Sequence, residues 1–132
     1  MNALPETLLP AARGRGWVGA GRARPGTVRA HVHDGRCVQC ARRGPGPLAV
    51  DAESTAAPAA QELAARFDLG VEELLGRWTR AEVAAKLLAR RSLVAFREGL
   101  EHDAALTIRT ALVEDLVVSV GWLASPERHE AR

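Results

Sequence analysis

The 132-residue chain has no tyrosine, two cysteines, and one lysine among eighteen basic residues. Its only asparagine is Asn2. Each shortage narrows the function. Two cysteines cannot build a disulfide framework. In a cytosolic chain, a pair three apart more often binds metal or does redox work than forms a structural bridge. Serine occurs only at positions 54, 92, 119 and 125, and the first three have no histidine near them in sequence. A serine–histidine hydrolase is therefore poorly supported, and the missing tyrosines remove phenolic acid–base chemistry. Long apolar runs are also missing. The longest, Leu116 to Pro126, is about half of the ~20 residues a membrane span needs. Met1-Asn-Ala-Leu-Pro-Glu6 lacks the basic and apolar regions of a signal peptide, so a cytoplasmic protein without enzymatic activity is expected.

What is present is unevenly distributed. The formal net charge of +2 divides into an excess of five positive charges over residues 1–52 and three negative charges over residues 53–132. A basic arm joined to an acidic body points to contact with a polyanion. The same arginine bias also fits a GC-rich genome. Residues 1–27 hold Arg13-Gly-Arg-Gly-Trp-Val-Gly-Ala-Gly-Arg-Ala-Arg-Pro-Gly26, which has no helical or strand period and reads as a flexible arm. Its arginines could meet phosphates while Trp17 stacks on a base. Gly14-x-Gly16-x-x-Gly19 matches a dinucleotide-binding string but has neither the strand before it nor the helix after it that the mechanism needs.

Four potential metal ligands fall within ten positions: His31, His33, Cys37 and Cys40. Zinc prefers thiolate and imidazole, and a structural site uses four of them in a tetrahedron. Thr27 to His33 alternates as a short strand with His31 and His33 on one side. Asp34-Gly35 then makes a tight turn, and Cys37-x-x-Cys40 follows as a knuckle. A zinc ion held by these four residues is expected, with His102, His129 or Asp34 as substitutes for one histidine. Arg29, Arg36, Arg42 and Arg43 surround this segment and are the expected nucleic-acid contacts. A thioredoxin-like redox pair lacks the surrounding βαβ pattern.

Residues 28–43, and Asp34-Gly-Arg-Cys37-Val-Gln-Cys40 in particular, resemble the first knuckle of treble-clef zinc domains, which include the HNH endonucleases. That resemblance covers about fifteen residues and implies a structural zinc. It implies no nuclease, because residues 41–101 contain neither His nor Cys to match the family's catalytic positions. His33-x-x-x-Cys37-x-x-Cys40 is also similar in spacing to zinc-binding anti-sigma factors.

Residues 44–57 read as a linker, with 48–57 ambiguous. From Pro58 the pattern predicts helices. Pro58 suits a first helical turn, Leu63, Ala64 and Phe67 make an apolar stripe, and Gly70 is a stop. A second short helix ends near Gly76. Thr79-Arg-Ala-Glu82 fits a capping box opening a helix that Gly99 ends. Asp103 would cap a last helix at 104–120, apolar almost all round and so buried or paired with another chain. The expected fold is mainly α: a bundle of three or four helices over residues 58–123, preceded by the arm and the zinc knuckle and followed by a tail at 124–132.

Residues 61–78 can also be laid on a helix-turn-helix, but Glu72 and Glu73 would then face DNA, where carboxylates repel phosphate. Leu74-Leu-Gly-Arg-Trp78-Thr79-Arg-Ala-Glu82 looks somewhat like small phage tail-assembly proteins. Two functions follow. The first is a zinc-containing, nucleic-acid-associated regulator. The alternative is a helical assembly factor, possibly phage-derived, that binds a protein partner or itself through residues 104–120.

Overall fold

Leu116-Val-Val-Ser-Val-Gly-Trp-Leu123 is the centre of the protein, and it is a strand. The computed structural model describes residues 2–3, 16–19, 27–41 and 47–123. It shows three helices and two antiparallel sheets, a mixed α/β fold that overturns the expected helical bundle. The order is β1 (Asn2–Ala3), β2 (Gly16–Gly19), β3 (Thr27–His31), β4 (Cys37–Ala41) and β5 (Leu48–Ser54), then α1 (Pro58–Arg66), α2 (Val71–Leu88) and α3 (Ser92–Glu98). A short 3-10 turn, Leu100–His102, leads into β6 (Leu106–Val113) and β7 (Leu116–Leu123). Among the described residues no helix is long and apolar enough to cross a membrane.

The stretch expected as a helix at 104–120 is a hairpin. Val113 and Leu116 are paired, so Glu114 and Asp115 form a two-residue turn, with Glu114 at φ 58°. A strand buried on both faces is apolar at every position, as a buried helix is. Valines at 117, 118 and 120 favour the strand because their β-branched side chains fit a pleated surface better than a helix.

β7 is the middle strand of the sheet β5-β7-β6, and residues 116–121 are all buried. Its two faces do different things. Leu116, Val118 and Val120 join Leu48, Val50 and Ala52 of β5 against Ala30, Val38 and Cys40 of the β1-β2-β4-β3 sheet and Val32 just past β3. The opposite face lies under α2. There Thr79 and Ser119 hydroxyls are 2.8 Å apart, and Ser119 and Thr110 hydroxyls are also 2.8 Å apart. This buried chain of hydroxyls joins α2, β7 and β6 without an unpaired polar group. β5, in the stretch expected as a linker, pairs with β7 from Leu48–Trp122 to Ser54–Leu116.

α1 begins at Pro58 as its sequence predicts. The expected break at Gly76 and fresh start at Thr79 do not occur. α2 runs through both, and Thr79 turns its hydroxyl to the Gly76 carbonyl and Ser119. Mid-helix glycine costs about 1 kcal/mol, less than packing a whole face on a sheet returns. The helix ends at Ala89, at φ 54°, and α3 ends at Gly99, at φ 65°, the stop its sequence predicts.

Candidate functional site

The four expected zinc ligands do not share a site. Cys37 and Cys40 lie in one continuous strand, β4, and three residues along a strand reverses the side-chain direction. Cys40 enters the core with Val38, whereas Cys37 lies on the opposite face, in register with His31 of β3. His31 is exposed. His33 sits in the turn beyond β3 and faces Glu53 of β5 instead. Among the described residues no three His, Cys, Asp or Glu side chains gather where a metal could be held. The expected four-ligand zinc site is therefore not formed among the described residues. A knuckle needs a turn between its cysteines, and here the chain turns before them, at Asp34-Gly35, where Gly35 takes φ 93°. Both cysteines are buried, and neither forms a disulfide among the described residues. Burial pushes the Cys40 thiol up to about 11 and raises Cys37 as well, so neither is readily the thiolate.

The arginines expected to meet a polyanion also separate. Arg29 is exposed on β3. Arg42 and Arg43 lie outside the described residues. Arg36 is engaged within the protein. Its two terminal nitrogens donate to the Asp115 carboxylate at 2.6 and 2.7 Å, and its Nε donates to Asp34 at 2.8 Å. Ser54 donates to Asp115 at 2.6 Å, and the Thr55 N–H reaches the Asp115 carbonyl at 2.8 Å. Asp115 thereby ties the β6–β7 turn to the β3–β4 turn and to the end of β5.

The Arg36 hydrogen bonds, and then that of Ser54, hold the Asp115 carboxyl well below the usual carboxylate range. Its stabilisation is complete above the unfolded value of about 4 and fades as pH falls below it. The Asp115 side chain is 37% exposed, so water screens the pair. Asp115→Ala should cost about 1–2 kcal/mol at neutral pH and much less near pH 2, read from urea melts at both. An equal loss at both pH values would mean the carboxylate charge contributes nothing.

A cleft of about 270 Å³ opens between α1, α2 and the end of β5. Ala60 and Leu63 of α1 form one wall, and Leu74, Leu75 and Trp78 of α2 form the other. Glu53 and His33 supply its polar groups. Trp78 is held by Phe96 of α3, with ring centroids 5.3 Å apart. Leu63 is 40% exposed and Phe67, four residues further and past the helix end, is 55% exposed. Positions i and i+4 share a helix face, so an apolar stripe continues along α1 from the cleft. Glu53 is half-buried, and its carboxyl is raised by burial and next by the nearby Glu82.

Beneath α2 the same strand carries Asp51. Its Oδ2 is buried with no hydrogen-bond partner among the described residues. The Lys86 ammonium stands 3.8 Å from the other oxygen and donates to the Val50 carbonyl at 2.7 Å. Burial dominates and pushes the Asp51 carboxyl up to about 7, against the pull of Lys86.

Leu63, Phe67, Leu74, Leu75 and Trp78 are legible in the sequence as apolar positions of helices. Glu53 and Asp51 are not singled out there. Their signal is the period-two run Val50-Asp-Ala-Glu-Ser54, with acids alternating against small and apolar residues as in a strand. Comparison with protein families, with characterised proteins and with solved structures finds no match to this chain.

Proposed function

We propose that this protein is a non-enzymatic binding module that takes a segment of a partner protein in the cleft between α1 and α2. An apolar side chain would enter between Leu63, Leu74 and Trp78, and an adjacent basic group would meet Glu53. The carrying observation is the cleft itself, apolar on both helical walls with a half-buried carboxylate beside them. Concave apolar sites with a few placed polar groups are where proteins bind ligands. Among the described residues no serine, threonine, cysteine or lysine lines the cleft. Cytoplasmic action fits two cysteines that form no disulfide among the described residues.

Of the two functions the sequence suggests, this is the protein-contact reading, moved from the 104–120 segment to the α1–α2 face. The polyanion reading loses Arg36 to Asp115 and Asp34.

Calorimetric titration with acetyl-leucyl-lysine amide and with acetyl-leucyl-glutamate amide tests it. The lysine peptide should bind more tightly by about fivefold to tenfold, as one partly desolvated charge pair allows. Glu53→Gln should abolish that preference while leaving apolar affinity in place. Equal affinity for both peptides in the unaltered protein would contradict the role of Glu53.

A further inference from the structure

The three-stranded sheet has unlike edges. β5 lies against β3 of the other sheet, although the two do not pair. Among the described residues no strand pairs with the outer edge of β6. That edge is eight residues long, and its pairing to β7 runs unbroken from Leu106–Leu123 to Val113–Leu116, without a bulge. It carries no proline and no lysine, and one charged residue, Arg109. Proteins usually blunt exposed edges with bulges, prolines or several charges, because unpaired backbone groups template another strand. Leu112 is 49% exposed on this edge.

We propose that β6 pairs antiparallel with β6 of a second copy of this chain, about a twofold axis at Thr110. The register follows from the sequence of the strand. A twofold axis perpendicular to the sheet keeps each face on its own side, so it passes through a residue position and not between two. Of such registers, two give the longest overlap, one centred on Arg109 and one on Thr110. Centring on Arg109 sets two guanidiniums directly opposite each other, which is destabilising. Centring on Thr110 pairs residues 107–113. It sets Arg109 against the partner's Ala111 and covers exposed Leu112 with the partner's Ile108. The two sheets then become one, β5-β7-β6 continued through the copy, and the two α1–α2 clefts lie towards opposite ends beside β5. The dimer is bivalent, and it stands whether or not the clefts bind a partner segment.

Sedimentation velocity on the full chain across the micromolar range tests the edge and its register together. The unaltered protein should show a concentration-dependent mass of two chains. Ala111→Lys puts a second cation opposite the partner's Arg109 at two places per dimer and should weaken association at least about tenfold. Ala111→Glu carries a similar burial penalty but should tighten association by pairing with that arginine. Adding Arg109→Glu to Ala111→Lys should restore the dimer. A monomer throughout the range overturns the proposal, and so does equal weakening by lysine and glutamate at position 111.

Discussion

Asp51→Asn should make the protein more stable at alkaline pH, by roughly 2–4 kcal/mol near pH 9. Most carboxylates in a folded protein favour folding when ionised. Asp51 does the reverse, because its Oδ2 is buried without a partner among the described residues and Lys86, at 3.8 Å, is half-exposed and turned to the Val50 carbonyl. Burial pushes its carboxyl up to about 7, against about 4 in the unfolded chain. Between these values the folded protein holds a proton that the unfolded chain has already released. Stability therefore falls as pH rises from about 4 to 7 and levels off above that. Glu53, also raised, adds in the same direction. Asparagine keeps the shape and cannot ionise. Urea melts of both proteins at pH 4.5, 7 and 9 should show the gap open as pH rises. An unchanged pH slope in the variant would place the proton on another group.

Gly121→Ala should cost about 3 kcal/mol, near the upper end for overpacking by a single methyl. A Cβ at this position would lie 2.6 Å from Cγ1 of Val83, 3.0 Å from Cγ1 of Ile108 and 3.1 Å from the Thr107 carbonyl. Three elements, α2, β6 and β7, meet there. Val83 is fully buried and β-branched, so it has few rotamers in which to retreat. The same substitution at Gly70, where an added Cβ meets nothing within 4 Å, should be nearly neutral. Thermal or urea unfolding of the two variants gives the comparison directly. A Gly121→Ala protein within 0.5 kcal/mol of the original, a margin typical of surface changes, would mean α2 does not sit this close to the sheet.

Gly121 also marks why the fold was only half legible. The helical character of residues 58–98 is written in their periodicity, and Pro58 and Gly99 bound that stretch as expected, but the break expected at Gly76–Thr79 falls instead at Ala89–Arg91. The β6–β7 hairpin is not written that way. Both faces of β7 are buried, so it lacks the alternation that separates a strand from a helix, and its Glu114-Asp115 turn lacks the usual glycine or asparagine. Gly121, just past position 120, reads equally well as the stop of a helix at 104–120. Histidine and cysteine spacing misled for a related reason. Spacing carries no direction, and a Cys-x-x-Cys that lies within a strand sends its side chains to opposite faces. The cleft could not be read at all, because it needs Glu53 of β5 beside Leu63 and Trp78, and nothing local places a strand of 48–54 under those helices. Arg36 shows the same limit. Its partner, Asp115, is 79 positions away in sequence.

The most direct measurement for the cleft is a heteronuclear NMR titration of the full chain with acetyl-leucyl-lysine amide. The indole N–H of Trp78 and the methyls of Leu63, Leu74 and Leu75 should shift together and saturate with one dissociation constant. The amides of the Arg36–Asp115 corner and of the β6 edge should stay in place. Saturable shifts confined to any other surface, or none at ligand concentrations where the peptide is soluble, would contradict the assignment of the α1–α2 cleft as the binding site.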